Sequence, residues 1–220
     1  MKISLRACCW IVCLIPVSSI AQNHLNFGIA AGPAYSITQM QNGDHNRYRP
    51  FLSSKINYYL EFHWQYLFKN EFGLESGFFI STKNAGIKDR TLQDFYLVQV
   101  DGYHFPFLFV LKKPHPKDPY KEYNYFVGTT IEYQYFLEKN KLEMVGRHAA
   151  FVPNITLGAR ISFKKGEFGK IECGITTNYA LNGFFKIGIP EEQGKIVNLN
   201  PQIHYIKIDL IYYFYNNFLE

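Results

Sequence analysis

The chain has 220 residues, 47% of them hydrophobic and 18% aromatic, with 23 basic and 18 acidic side chains for a formal charge of +5. That is enough chain for one domain, with a charge too mild and too scattered to form a nucleic-acid footprint. No stretch of eighteen apolar residues is present to cross a membrane as a helix.

Residues 1–21 read as a secretory signal peptide. Basic Lys2 and Arg6 precede an apolar run from Ala7 to Val17, and Ser19 and Ala21 sit three and one before a cut ahead of Gln22. Cys8, Cys9 and Cys13 lie inside this leader. Residues 22–220 then form the mature domain, which keeps only Cys173 and so has no intramolecular disulfide framework.

The mature chain alternates. Leu25 to Ile37 sets Leu25, Phe27, Ile29, Ala31 and Tyr35 against Asn26, Gly28, Ala30, Gly32 and Ser36. A polar stretch, Thr38 to Pro50, separates it from Ser54–Phe68, which sets Ile56, Tyr58, Leu60, Phe62, Trp64 and Tyr66 against Lys55, Asn57, Tyr59, Glu61, His63 and Gln65. After a tight break at Lys69-Asn70, Phe72, Leu74, Phe78 and Ile80 oppose Gly73, Glu75, Gly77, Phe79 and Ser81. Thr82 to Asp94 reads as a polar loop. In Leu97–Leu111 the second face is partly apolar, and Pro106 removes a ladder donor, so a bulge is expected there. Lys112 to Glu122 carries three prolines and reads as a turn region.

The pattern is cleanest in Tyr123–Leu137. Tyrosines flank Val127, Thr129 and Ile131 on one face, while the other shows Asn124, Gly128, Thr130, Glu132 and Gln134. A period of two over such a length is a strand, and it is longer than the roughly 5–6 residues usual in soluble domains. Glu138 to His148 is polar. Phe151, Ile155, Leu157, Ile161 and Phe163 then oppose Asn154, Thr156, Gly158, Arg160 and Ser162. Lys164-Lys165-Gly166 turns into a strand with Ile171, Cys173 and Ile175 against Lys170, Glu172, Gly174 and Thr176. After a long segment, Asn182–Gln202, the last strand puts Ile206, Ile208, Leu210 and Tyr212 against Tyr205, Lys207, Asp209 and Tyr213.

Eight strands with connections that alternate between longer and shorter predict an all-β fold: an eight-stranded antiparallel up-and-down transmembrane β-barrel with a plugged polar lumen. A soluble barrel of opposite facing would carry a Lys/Glu-rich outer face. Here the polar face is instead rich in Gly, Ser, Thr and Asn, as a cramped interior requires. The expected location is the outer membrane of a Gram-negative bacterium, with both termini in the periplasm and membrane lipid as the surrounding partner.

Residues 103–112, Tyr-His-Phe-Pro-Phe-Leu-Phe-Val-Leu-Lys, together with the opening Gly28-Ile29-Ala30-Ala31-Gly32, resemble the PorT-like outer-membrane barrel family. His104 stands where an acidic residue is usual in that family. Membership would imply an outer-membrane barrel, and the founding member's link to the type nine secretion machinery would imply envelope or secretion proteins as partners.

The inward charges form the main constellation that could carry chemistry: Lys55, Glu61, Glu75, Glu132, Arg160, Lys170, Glu172, Lys207 and Asp209. Five carboxylates against four bases predict a cross-lumen ion network, because charges inside a barrel must pair. His63 and His104 face inward without metal-ligand spacing, so they are expected to be hydrogen-bonded lumen residues. No metal, cofactor or catalytic set is predicted. The expected role is non-catalytic and envelope-structural or secretion-associated. The alternatives are an enzyme active at the extracellular rim, using Asp44, His45 and His148, and a small pore.

Overall fold

The computed structural model describes residues 25–40, 47–51, 56–68, 71–137, 143–145, 149–165, 169–182, 186–190, 196–199 and 201–214. The signal-peptide reading of residues 1–21 lies outside them. Every regular element among the described residues is a strand: β1 Leu25–Met40, β2 Tyr48–Phe51, β3 Asn57–Phe68, β4 Phe72–Asp89, β5 Phe95–Pro114 and β6 Lys121–Leu137. These are followed by β7 Glu143–Val145, β8 Ala149–Lys165, β9 Gly169–Ala180, β10 Lys186–Pro190, β11 Ile196–Leu199 and β12 Pro201–Phe214.

Eight of these strands close on themselves. β1, β3, β4, β5, β6, β8, β9 and β12 pair antiparallel in chain order, and β12 returns to β1. Closure leaves the wall without an edge, the one way a sheet can satisfy its backbone in hydrocarbon. A path of cross-strand partners from Asn26 runs through Gln65, Glu75, Leu108, Gly128, Thr156, Asn178 and Tyr205. It regains β1 at Ser36, a stagger of ten residues. A stagger of that size goes with strands tilted by about 35–45° to the barrel axis.

The facing follows the period-two pattern. Leu60, Phe62, Phe78, Ile80, Phe107, Val127, Ile131, Leu157, Ile175 and Leu210 are exposed on the outside, while Glu61, His63, Glu75, Phe79, His104, Glu132, Arg160 and Asp209 are buried inside. On β4 the apolar band runs from Phe72 to Ile80, about 20 Å of height at ~3.3 Å per residue and this tilt. Tyr58, Tyr103, Tyr133, Tyr135 and Tyr179 occupy outward positions at its far margin, and Trp64, Tyr66, Tyr123, Tyr125 and Tyr212 at the margin near Leu25 and Phe214. An apolar belt of this height between aromatic girdles is the pattern found on the exterior of transmembrane barrels.

Beyond Ile80 the facing keeps its parity but the outward positions are no longer apolar. Ile87, Val98, Val100 and Tyr48 are buried within the barrel, while Thr82, Lys88, Gln99 and Asp101 turn outward and are half-buried. The stretch expected as a polar loop, Thr82–Asp94, is therefore mostly strand: β4 continues to Asp89 and only Arg90–Asp94 turns. Above the apolar band the outward positions turn polar, while the inward ones mix apolar Ile87, Val98 and Val100 with polar Lys83 and Asp89. β2 takes the place beside β4 where β3 has ended, with Tyr48 opposite Asp89 and Phe51 opposite Gly86. The long segments before β8 and before β12 also hold strands. β7, β10 and β11 form a separate three-stranded sheet.

Pro106 makes no bulge. Ser76 opposes Phe107 and Phe79 opposes His104 in one unbroken register. The ladder to β4 lapses for two residues, and the Ser76 hydroxyl donates to the Pro106 carbonyl at 2.6 Å. A missing N–H costs one rung here, and a neighbouring hydroxyl supplies a donor without an extra residue.

Candidate functional site

The lumen is where the polar side chains meet. β3 delivers Glu61 and His63, β4 delivers Glu75, β8 Arg160, β9 Lys170 and Glu172, and β12 Lys207 and Asp209, each from an inward position of the alternation. These eight are all nearly completely buried. Lys55 lies outside the described residues, as do Asp44, His45 and His148.

Arg160 is the hub of the larger cluster. Its Nη1 lies 2.7 and 2.8 Å from the two Glu75 oxygens and 3.9 Å from Glu172, while its Nε donates to Asp209 at 3.1 Å. Lys170 reaches Glu172 at 2.7 Å, and Lys207 pairs with Glu61 and lies 3.6 Å from Asp209. His63 sits between carboxylates, with Nε2 3.2 Å from Glu61 and Nδ1 3.4 Å from Glu75. Neutral donors complete the shells. Tyr59 gives its hydroxyl to Asp209 at 2.8 Å, Tyr213 to Glu75 at 3.3 Å, and Asn124 its amide to Glu172 at 2.6 Å.

A second cluster lies further from the barrel end that carries Leu25 and Phe214. Lys83 pairs with Glu132, which also accepts from Asn154 at 3.3 Å and lies 3.6 Å from His104. His104 stacks on Phe79 with centroids 3.9 Å apart, and its Nε2 meets the Ser81 hydroxyl at 2.8 Å. Each major lumen cation also faces an aromatic ring: Arg160 over Phe126 at 4.2 Å, Lys170 over Tyr213 at 4.5 Å, Lys83 over Tyr205 at 4.2 Å and Lys207 over Phe79 at 4.4 Å. A ring face together with a carboxylate replaces part of the hydration that a buried cation loses.

Two lumen bases were not legible in the sequence. Lys83 falls in the stretch read as a loop, and Lys112, 6% exposed, in the stretch read as a turn. Their signal was present: each continues the inward parity of its strand, Lys83 two beyond Ser81 and Lys112 two beyond Val110.

Ser81, His104 and Glu132 are the residue types of a nucleophile, base and orienting acid, but their geometry does not serve that chemistry. The serine and the carboxylate approach the same nitrogen, Nε2, whereas a relay needs them on opposite nitrogens. The Nδ1 side holds the Tyr205 hydroxyl at 3.4 Å, and His104 is fully buried. Among the described residues no group of three His, Cys, Asp or Glu is placed to hold a metal ion.

At the far rim Arg47 closes on Asp89, Nη2 to Oδ2 3.0 Å, and the backbone N–H groups of Thr91 and Leu92 donate to Asp89 Oδ1 at 2.8 and 3.2 Å. Burial would raise this carboxyl, but the guanidinium and the two amides together hold it below the usual carboxylate range.

The chain matches no model of a known protein family, and no curated protein matches it. Among solved structures it is similar to the outer membrane protein OprG from Pseudomonas aeruginosa, at 10% identity over 88% of this chain and 98% of that one, with a TM-score of 0.57. It also aligns with the Neisserial surface protein NspA at 10% identity, over 86% of this chain and 96% of that one, with a TM-score of 0.49. The likeness to OprG is one of fold: a closed, eight-stranded antiparallel barrel.

Proposed function

We propose that this protein is an integral outer-membrane barrel with a sealed lumen, its termini on the periplasmic side, serving the envelope as a non-catalytic component. The observation that carries the reading is the pairing of an apolar outer belt with an interior whose charges are spent on one another. Eight strands leave an interior that side chains can fill. Here Tyr59, Phe79, Phe126 and Tyr213 fill it together with the ion clusters. The shorter connections at the end that carries Leu25 and Phe214, against the extended wall at the other, support a periplasmic place for the termini.

The likeness of residues 103–112 to the PorT-like family extends this reading to association with secretion proteins. Pull-down from detergent-solubilised envelopes tests that extension, with co-purified secretion components as the expected result. The barrel itself is tested by gel migration before and after boiling and by reconstitution in planar bilayers. A migration shift without steady conductance is expected; steady, ion-selective conductance would replace the sealed barrel with a pore.

A further inference from the structure

The two ion clusters of the lumen do not join. Among the described residues no hydrogen bond or ion pair links the cluster of Arg160 to that of Lys83 and Glu132. The ring of Phe79, 1% exposed, stands between them. His104 lies flat on one face of it, with centroids 3.9 Å apart and planes turned by 4°. A face so covered has no room for a second group, so the Lys207 amine, 4.4 Å from the same centroid, takes the other face. One cluster therefore ends on one side of Phe79, and the other begins on its opposite side.

Other rings extend this layer. Tyr59 and Tyr205 meet Phe79 edge-on at 6.2 and 6.1 Å, and Tyr205 meets His104 at 5.5 Å. The four side chains come from β3, β4, β5 and β12. When the ten-residue stagger is spread over eight strands, they fall at one height in the lumen. At that height β6, β8 and β9 supply the smaller Thr130, Thr156 and Asn178, hydrogen-bonded in a row at 2.6 Å each. The Asn178 amide nitrogen has no partner, so this half would make a polar passage if the rings were cut back. Orphaned polar atoms also lie on both sides of the layer. Gln65 Oε1 and Asn124 Oδ1 are on the side of Leu25 and Phe214, and Glu132 Oε1 and Asn154 Oδ1 on the other. Buried polar groups without a protein partner are met by water.

We propose that Phe79 is the septum of the barrel. Water enters the charged clusters from both ends, and this ring, with Tyr59, His104 and Tyr205 packed round it, keeps the two sides apart. A charged side chain can trade its partner for a passing ion, whereas an apolar constriction stops ions by excluding water. The inference rests on the sealed membrane barrel proposed above, and it assigns the seal to one layer of that barrel.

Planar-bilayer conductance of the full chain is the test. Phe79→Ala is expected to give steady unitary events where the wild type gives none. Phe79→Leu, which keeps an apolar plug, should stay silent. So should Phe126→Ala, which removes a buried ring from beside Arg160, away from the layer. Conductance in the wild type would overturn the sealed barrel itself. A silent Phe79→Ala that keeps the folded gel shift, or equal conductance from Phe126→Ala, overturns the septum alone. A second measurement needs no variant to fold. In the wild-type barrel in lipid, water-edited solid-state NMR should carry magnetisation quickly to the side chains of Arg160 and Lys83 and slowly to the Phe79 ring. Equal build-up at all three, fast or slow, overturns the proposal.

Discussion

Arg160 on β8 and Glu75 on β4 meet across the lumen, one guanidinium nitrogen lying 2.7 and 2.8 Å from the two carboxylate oxygens. The same guanidinium reaches Asp209 on a third strand. One side chain therefore ties three strands together through the barrel interior.

Replacing Arg160 with alanine leaves Glu75 and Asp209 short of their shared cation. A buried ion network broken from one side costs about 3–5 kcal/mol. The double change Arg160→Met with Glu75→Gln removes both members of the closest pair and is expected to cost less than Arg160→Ala alone. Urea unfolding from micelles measures both. A double variant less stable than the single would show that the ions themselves, and not their pairing, hold the interior.

Glu132 makes the parallel case in the second cluster. Glu132→Ala orphans Lys83 and is expected to destabilise by up to about 3–5 kcal/mol, less where lumen water reaches the amine. Adding Lys83→Met should recover much of the loss. Absence of recovery in the same unfolding assay would mean that the pair is not the source of the effect.

The outer face is tested by depth. Arginine at Ile131, Leu157 or Ile175, all exposed mid-strand, should cost about 2–4 kcal/mol, whereas arginine at Tyr123, in the girdle, should cost about 0–1 kcal/mol. Folding yield into vesicles reads the difference. Equal losses at both depths would contradict a lipid-facing band.

Gly128 tests the closeness of two strands. A Cβ there would stand 2.1 Å from the Phe107 carbonyl oxygen and 2.8 Å from the Leu108 Cα, both of them backbone atoms. Gly128→Ala must shift β5 against β6 and is expected to cost about 1–3 kcal/mol, as overpacking does. A variant as stable as wild type would show that the two strands part freely.

Asp89 tests the rim in acid. Its pKa is depressed in the fold, so its contribution to stability is present above the unfolded value, about 3.9, and is lost as pH falls through the lower folded value. The amides of Thr91 and Leu92 should stay protected from hydrogen exchange at pH 4 and lose protection below it, and Arg47→Ala should move that loss to higher pH. Protection that fades at the same pH in both proteins would remove Arg47 from the account.

The barrel was legible because facing and period coincide wherever a strand crosses the apolar band. Leu60 beside Glu61, and Ile131 beside Glu132, give opposite surroundings to adjacent residues. The reading failed where the surroundings change. Beyond Ile80 the outward positions become polar while Lys83 and Asp89 keep the inside partly polar, so the alternation fades within one strand and the stretch looks like a loop. Lys83 was lost with it. The cross-lumen partners were illegible for a different reason. Parity says that Arg160 and Glu75 both point inward, but their meeting depends on the ten-residue stagger, which no single strand records.

The closure of β1 on β12 also orders assembly. Because the chain's first and last barrel strands are the ones that meet, every other pairing can form between neighbours in sequence, while β1 and β12 must find each other across the whole chain, Phe27 opposite Phe214. Contacts so distant in sequence are slow to form. Until they do, Glu61 and Lys207, 146 residues apart and facing each other over that seam, lack each other and keep only the neighbours of their own strands, His63 and Asp209. The interior charges must enter the membrane region hydrated, and the water they bring has to leave as the seam shuts. A change at Glu61 or Lys207 is therefore expected to slow the closing of that seam.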